Sequence, residues 1–244
     1  MTSRRPWFPL VRMTVSLLVL GAIVGGTYGI WYVFFKPSGP PAVGASDQPA
    51  ASISGLAVPA TADGTWTVDT SIGSLADGSG SFVGYRVQEQ LASIGGNSAV
   101  GRTSDVSGSL TLQGTTITAV EVTAHLSTLT SDDDRRDGQL KRQALETARF
   151  PDATFTLTQP IELGSLPADG ATLSATATGK LTLHGVTKEV SIGLKGTRRG
   201  GLMTVTGSMT IAFADFNIEP PSSFAVLSVD DHGVMELQLH FVHA

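Results

Sequence analysis

From Val106 onward the chain alternates. Val106, Gly108, Leu110 and Leu112 stand at every second position among small polar residues, and the same period returns at Val120, Val122, Ala124 and Leu126. It continues through Leu173, Ala175, Ala177, Gly179, Leu181 and Leu183, then Val190, Ile192 and Leu194. Met203, Val205, Gly207, Met209, Ile211 and Phe213 follow, and the last run is Met235, Leu237, Leu239 and Phe241. Strict alternation sends every second side chain to one face, so each run predicts a strand with one apolar and one polar side. Between the runs lie Gln113-Gly114, His184-Gly185, Gly200-Gly201 and the stretch from Asp230 to Gly233, all suited to left-handed turns. Consecutive strands are therefore predicted to pair as antiparallel hairpins. Across Gly185 the apolar positions switch from odd to even numbers, as a turn there requires.

About eight such strands predict a closed antiparallel barrel, which leaves no open sheet edge; a two-sheet sandwich is the alternative. A barrel of that size encloses a lumen that side chains fill or that holds one ligand. The small residues Ala175, Ala177 and Gly179 bear on the choice. They either leave room inside or admit a closely packed neighbouring element, and periodicity alone fits both.

One stretch breaks the strand pattern. SDDDRRDGQLKR, residues 131–142, holds eight charged side chains in twelve positions. A calcium loop aligned on Gly138 would put Arg135 and Ala144 at positions that need oxygen ligands, so the metal reading fails. A helix accounts for more: Ser131 as N-cap, Asp132 to Asp134 near the positive dipole end, and Lys141, Arg142 and Arg149 toward the negative end. Leu140, Ala144, Leu145 and Ala148 share a face, and Pro151 is the predicted stop. Arg136 and Asp137 remain, either as a local ion pair or as a polar rim at one end of the barrel.

The region before the strands is of another kind. Met13 to Phe35 is a run of 23 residues without a formal charge, long enough to cross a bilayer as a helix. Arg4, Arg5 and Arg12 precede it and only Lys36 follows closely, which predicts a cytoplasmic N-terminus (1–12) and an exported remainder. A cleaved signal peptide is the rival reading. The run is long, however, and ends in bulky Tyr32, Phe34 and Phe35 with no small-x-small site, so residues 13–35 read as an uncleaved signal anchor. Residues 36–63 draw 19 of 28 positions from Pro, Gly, Ala and Ser, a composition suited to a flexible linker. The chain thus divides into a cytoplasmic end, a single-pass anchor, a linker and a barrel domain over 64–244.

Composition narrows the chemistry. The barrel region carries 12 basic against 19 acidic residues, a formal charge of −7, which argues against nucleic acid and against adhesion to anionic lipid surfaces. The absence of cysteine excludes disulfides and thiol catalysis. No G-x-S-x-G, H-E-x-x-H or phosphate-binding loop occurs. His125, His184, His232, His240 and His243 are scattered, as surface or turn histidines are. No catalytic or metal-ligating residue is assigned; an enzyme reading would have to rest on Arg136, Asp137 and His125.

Five segments together resemble the YceI-like family: WTVD (66–69), SFVGYRV (81–87), RRDGQL (135–140) followed by RFPDATFTL (149–157), and GKLTLHGVTKEV (179–190). They occur in order from Trp66 to the C-terminus. The resemblance implies an eight-stranded lipocalin-like barrel with one inserted helix and an apolar tunnel that in some members holds a polyisoprenoid or an isoprenoid quinone tail. It carries no catalytic residues. Matching SFVGYRV to the family pattern S-x-V-x-F-x-V turns Val83, Tyr85 and Val87 inward. With Ala124, Leu126, Phe155, Leu157, Leu181, Met209, Phe213 and Leu237 they make the expected lining, and Arg136 and Asp137 the expected polar rim. Two features depart from the family pattern: the N-terminal anchor, and a longer segment in place of the short D-x-x-H-S opening, expected to reshape the barrel mouth.

The expected function is an extracytoplasmic, membrane-anchored carrier or sequesterer of an isoprenoid lipid or quinone tail, with no other cofactor. The alternative is an envelope interaction module with a filled interior and no ligand. An ordinary filled core would use every one of the lining residues equally well.

Overall fold

The computed structural model describes residues 40–43, 61–91, 95–220 and 226–244. The predicted anchor at 13–35 and the cytoplasmic end lie outside the described residues, as does most of the linker. Among the described residues no helix is long and apolar enough to cross a membrane.

The strands are β1 (Gly64–Val68), β2 (Phe82–Leu91), β3 (Gly95–Thr103), β4 (Val106–Gln113), β5 (Thr116–His125), β6 (Asp152–Leu157) and β7 (Ile161–Glu162). They continue with β8 (Thr172–Leu183), β9 (Val186–Arg199), β10 (Leu202–Ala212), β11 (Val226–Val229) and β12 (His232–His243). Pairing runs β1-β4-β5-β6-β8-β9-β10-β12, and β12 returns to β1. Every pairing in this ring is antiparallel, so the sheet closes as an eight-stranded barrel. The sandwich alternative is set aside by that closure.

Local chemistry explains the register. His184 and Gly185 carry φ values of 51° and 74°, the two left-handed residues that a tight hairpin between β8 and β9 needs. That turn holds twelve residues of β8 against β9, from Leu183 opposite Val186 to Thr172 opposite Thr197. The inward residues Leu110, Leu112, Ala124, Ile192, Leu237, Leu239 and Phe241 are buried in one continuous core.

One turn assignment changes. The stretch from Asp230 to Gly233 is not a hairpin, because β11 and β12 do not pair with each other. Both pair with β2, β12 through Val234–Gln238 and β11 through Val226–Val229, so Asp230 and Asp231 interrupt a single strand line. Turn composition alone cannot separate such an interruption from a reversal.

The long segment between β1 and β2 also takes another role. β1 and β2 occupy successive lengths of the same edge of β12, so the chain joining them must cross the outside of the wall. There it covers the polar face of β12. Gln238 Nε2 donates to the carbonyls of Gly78 and Gly80, each at 2.9 Å, and the His240 ring meets the Ser79 carbonyl at 2.7 Å. Gln238 and His240 are consequently buried, and Glu236 is buried against Arg86 and Arg102, although all three point away from the lumen. Within the predicted linker, the carbonyls of Pro40 and Pro41 accept hydrogen bonds from Arg86 and Arg102 at 2.7 and 2.8 Å.

The helix lies between β5 and β6, as α1 (Asp134–Gln139), continued by a π-helical turn over Leu140–Ala144. Its N-cap is Asp133, whose carboxylate accepts from the N–H groups of Arg135 and Arg136 at 2.8 and 3.2 Å. Ser131, the residue expected to cap, sits two positions earlier and donates to Asp137 from both its N–H and its hydroxyl. The helical run ends at Ala144, well before Pro151, because Glu146 takes a left-handed φ of 43° and turns the chain. Ala148 and Arg149 therefore lie beyond the helix, and Ala148 is exposed.

Candidate ligand-binding site

The inward faces of the strands do not close on one another. Three chambers lie in a row along the lumen, of about 150, 100 and 80 Å³. The first is roofed by the helical insertion through Leu140, Ala144 and Leu145, with Val83, Tyr85, Val87 and Phe213 on its wall. The second occupies the middle and is walled by Val120, Val122, Ala124, Phe155, Ala177 and Ile192 among others. The third lies under Leu163, Leu166 and Pro167, with Ala175, Leu173 and Met203. Val83, Ala153, Leu181 and Met235 belong to both the first and second chambers, and Ile117, Ile161, Leu194 and Val205 to both the second and third. An apolar cavity of about 150 Å³ is large enough to stay dry and take up a benzene-sized guest.

Strand alternation places this lining, and small residues make the space. Ala177 and Ala175 line the second and third chambers, where a longer side chain would occupy the lumen. Gly179 serves the other purpose: a Cβ there would meet the Thr156 carbonyl oxygen at 2.4 Å and the Phe155 ring at 2.5 Å. It gives room to a packed neighbour and not to a guest.

The residues expected in the lining are distributed as follows. Val83, Tyr85, Val87, Leu126, Leu181 and Phe213 line the first chamber. Ala124, Phe155 and Leu237, with Val83 and Leu181 again, line the second. Leu157 and Met209 pack against the core without lining any of the three. Arg136 reaches the first chamber, whereas Asp137 is buried on Ser131 beside it. The sequence pattern did not point to Ala99, Ile218, Pro220 and Val229, all on the first chamber. Val229 ends the four-residue β11, Ala99 lies midway along β3 among small and polar residues that mark no alternation, and the other two follow a 3₁₀ turn.

Polar groups at the first chamber form a tight set. Arg136 Nη2 donates to Glu89 at 2.8 Å and Nη1 to Asp132 at 2.6 Å, while Asn97 donates to the same Glu89 oxygen at 2.7 Å. Burial works against the Arg136 charge, but Glu89 and Asp132 outweigh it and hold the guanidinium above its ordinary pKa. Burial also pushes the Tyr85 phenol well above its usual range, with Arg136 opposing and Asp137 and Glu89 adding to the rise. The Tyr85 hydroxyl is sealed from solvent and has no hydrogen-bond partner among the described residues.

The histidines are more engaged than their scatter suggested. His184 and His240 are both buried; His184 bridges the Phe216 carbonyl and Glu146 at 3.0 Å each. His125 pairs with Asp152 on the rim. Among the described residues no group of three His, Asp or Glu side chains is placed to hold a metal ion.

The fold and the site together define a closed antiparallel barrel with a helical roof and a row of apolar chambers, and the comparisons give its family. The chain belongs to the YceI-like family: the YceI-like domain model matches residues 66–241. Protein YceI of Escherichia coli O157:H7 and a UPF0312 protein of Enterobacter sp. strain 638 are each 31% identical over 176 residues, covering 66% of this chain and 84% of the relative. Among solved structures, a polyisoprenoid binding domain from Saccharophagus degradans implicated in plant cell wall breakdown matches with a TM-score of 0.56 at 18% identity, over 75% of this chain and 99% of that one. BcnA of Burkholderia cenocepacia matches with a TM-score of 0.50 at 19% identity, over 65% and 95%. At these identities the two structures establish the fold.

Proposed function

We propose that this protein binds the tail of an isoprenoid lipid or quinone inside the barrel, and sequesters or carries it outside the cytoplasm while held to the membrane by residues 13–35. The observation that carries the reading is the row of three apolar chambers with shared walls. A branched, repeating hydrocarbon chain suits such a series better than one compact ligand does. Each buried CH₂ contributes about 0.8 kcal/mol, so one isoprene unit gains roughly 4 kcal/mol before ordering costs. A tail of a few units needs few polar contacts. The family and the polyisoprenoid binding domain of S. degradans support the same ligand class. The 23-residue uncharged run, with arginines before it, supports anchoring with the barrel exported. The role is binding and not catalysis.

Native mass spectrometry of the purified chain mixed with prenyl alcohols of increasing tail length tests the binding. One bound lipid per chain is expected, tighter as the tail lengthens until the chambers are filled. Failure of every prenyl lipid to bind overturns the reading. Protease added to intact cells, and then to spheroplasts, tests the topology: the barrel domain is digested only once the outer layers are opened, and a domain protected in spheroplasts contradicts export.

A further inference from the structure

The first chamber is apolar except for four side chains, and three of those are already hydrogen-bonded to protein. Glu89 accepts from Arg136 and Asn97, the Thr103 hydroxyl lies 2.6 Å from that of Thr128, and Arg136 is shared between Glu89 and Asp132. The fourth is Tyr85, whose buried hydroxyl has no partner among the described residues. A buried hydroxyl left so destabilises the empty protein, as a group awaiting a ligand would.

Its position is specified by the neighbouring strand. Tyr85 pairs with Gly101 across β2 and β3, and a Cβ at 101 would lie 2.4 Å from Tyr85 Cε1 and 2.8 Å from its hydroxyl oxygen. Glycine at 101 lets the ring lie flat on β3. With its pKa raised by burial, the phenol stays protonated and can donate at any physiological pH.

The surrounding charge decides what it can donate to. Glu89, Asp132 and Asp137 face one cation, Arg136, and that cation already bridges two of the three. A phosphate, diphosphate or carboxylate brought to Tyr85 would meet an excess of negative charge with no free cation in that set.

We propose that Tyr85 is a specificity-determining head-group contact, donating its hydroxyl hydrogen to a neutral acceptor oxygen (alcohol, phenol or quinone carbonyl) of the bound prenyl lipid, while the acidic surround excludes anionic heads. This rests on the lipid-binding reading above and deepens it.

The test uses the full chain in detergent and three probes with prenyl tails: geranylgeraniol, geranylgeranyl diphosphate and the hydrocarbon squalene. Geranylgeraniol is expected to bind at least about tenfold more tightly than the diphosphate, as like-charge contact and an unpaired donor require. Tyr85→Phe is expected to weaken geranylgeraniol about five- to tenfold, leave squalene unchanged, and raise the melting temperature of the empty protein by removing an unsatisfied hydroxyl. A merely structural tyrosine would show no such opposite movement. Diphosphate binding as tight as the alcohol, or an alcohol affinity unchanged in Tyr85→Phe, overturns the proposal while lipid binding stands. If none of the three probes binds, the lipid-binding reading falls and this proposal with it.

Discussion

Glu236 on β12 and Arg102 on β3 meet 3.3 Å apart on the outside of the barrel wall, at 2% and 5% exposure, although β2 runs between their strands. The residue between them is Gly84, in register with both. A Cβ at 84 would lie 2.8 Å from Arg102 Cγ and 2.4 Å from the Gly101 carbonyl oxygen, so only glycine leaves the arginine a path across the strand. Phe82 supports the guanidinium from below, 4.1 Å from its ring centroid.

Removing the acid of this pair strands a buried cation. Burial already pulls Arg102 below the ordinary arginine pKa, and Glu236 is what opposes that pull. Glu236→Ala is expected to destabilise the barrel by about 3–5 kcal/mol, and Gly84→Ala by about 1–3 kcal/mol through overpacking. Urea unfolding followed by fluorescence checks both. A loss below about 1 kcal/mol in Glu236→Ala would mean that Arg102 finds other compensation.

Two glycines in facing strands of the same hairpin should respond differently. Gly179→Ala forces a methyl against the Phe155 ring and the Thr156 carbonyl, and is expected to cost about 1–3 kcal/mol. Gly193 has nothing within 4 Å of the position a Cβ would take, so Gly193→Ala should be neutral or stabilising by up to about 1 kcal/mol. Thermal unfolding of the two variants, measured in parallel, distinguishes them.

His240 makes stability depend on pH. Burial lowers its pKa below the ordinary 6.5, with the Ser79 carbonyl and Asp69 partly opposing. The unfolded chain therefore takes up a proton that the folded chain refuses. Stability contributed by the neutral ring is full above about 6.5 and falls as the pH drops through the window beneath it. The urea midpoint should be lower at roughly pH 5.5 than at roughly pH 7.5, and His240→Gln should narrow that difference. The same pH dependence in wild type and variant would assign the effect to other groups.

The barrel was legible because alternation encodes it directly: wherever β-strands ran for ten residues or so, inward residues such as Leu110, Ile192 and Leu239 could be named from parity alone. The interruption at Asp230 and the N-cap at Asp133 were not legible. Asp, His and Gly suit a reversal and a bulge equally, and Ser131 and Asp133 cap equally well until Asp137 claims one of them. The buried polar face of β12 was hidden for a different reason. Glu236, Gln238 and His240 read as solvent-facing positions, but the crossing of residues 69–81 over the wall covers Gln238 and His240, and Arg86 and Arg102 cover Glu236. Of the site, the wall residues on regular strands followed from the pattern. The chambers between them did not, since Ala177 and Gly179 look alike in sequence and act oppositely in space.

The row of chambers is proposed to hold a prenyl lipid. The most direct test is organic extraction and mass spectrometry of the protein purified from its own membranes, beside an Ala153→Phe variant that places a ring where the first and second chambers join. A prenyl lipid at close to one per chain is expected in the wild type, lost or replaced by a shorter one in a variant that still folds. A wild-type protein that yields no prenyl lipid, and takes up none when it is supplied, would contradict it.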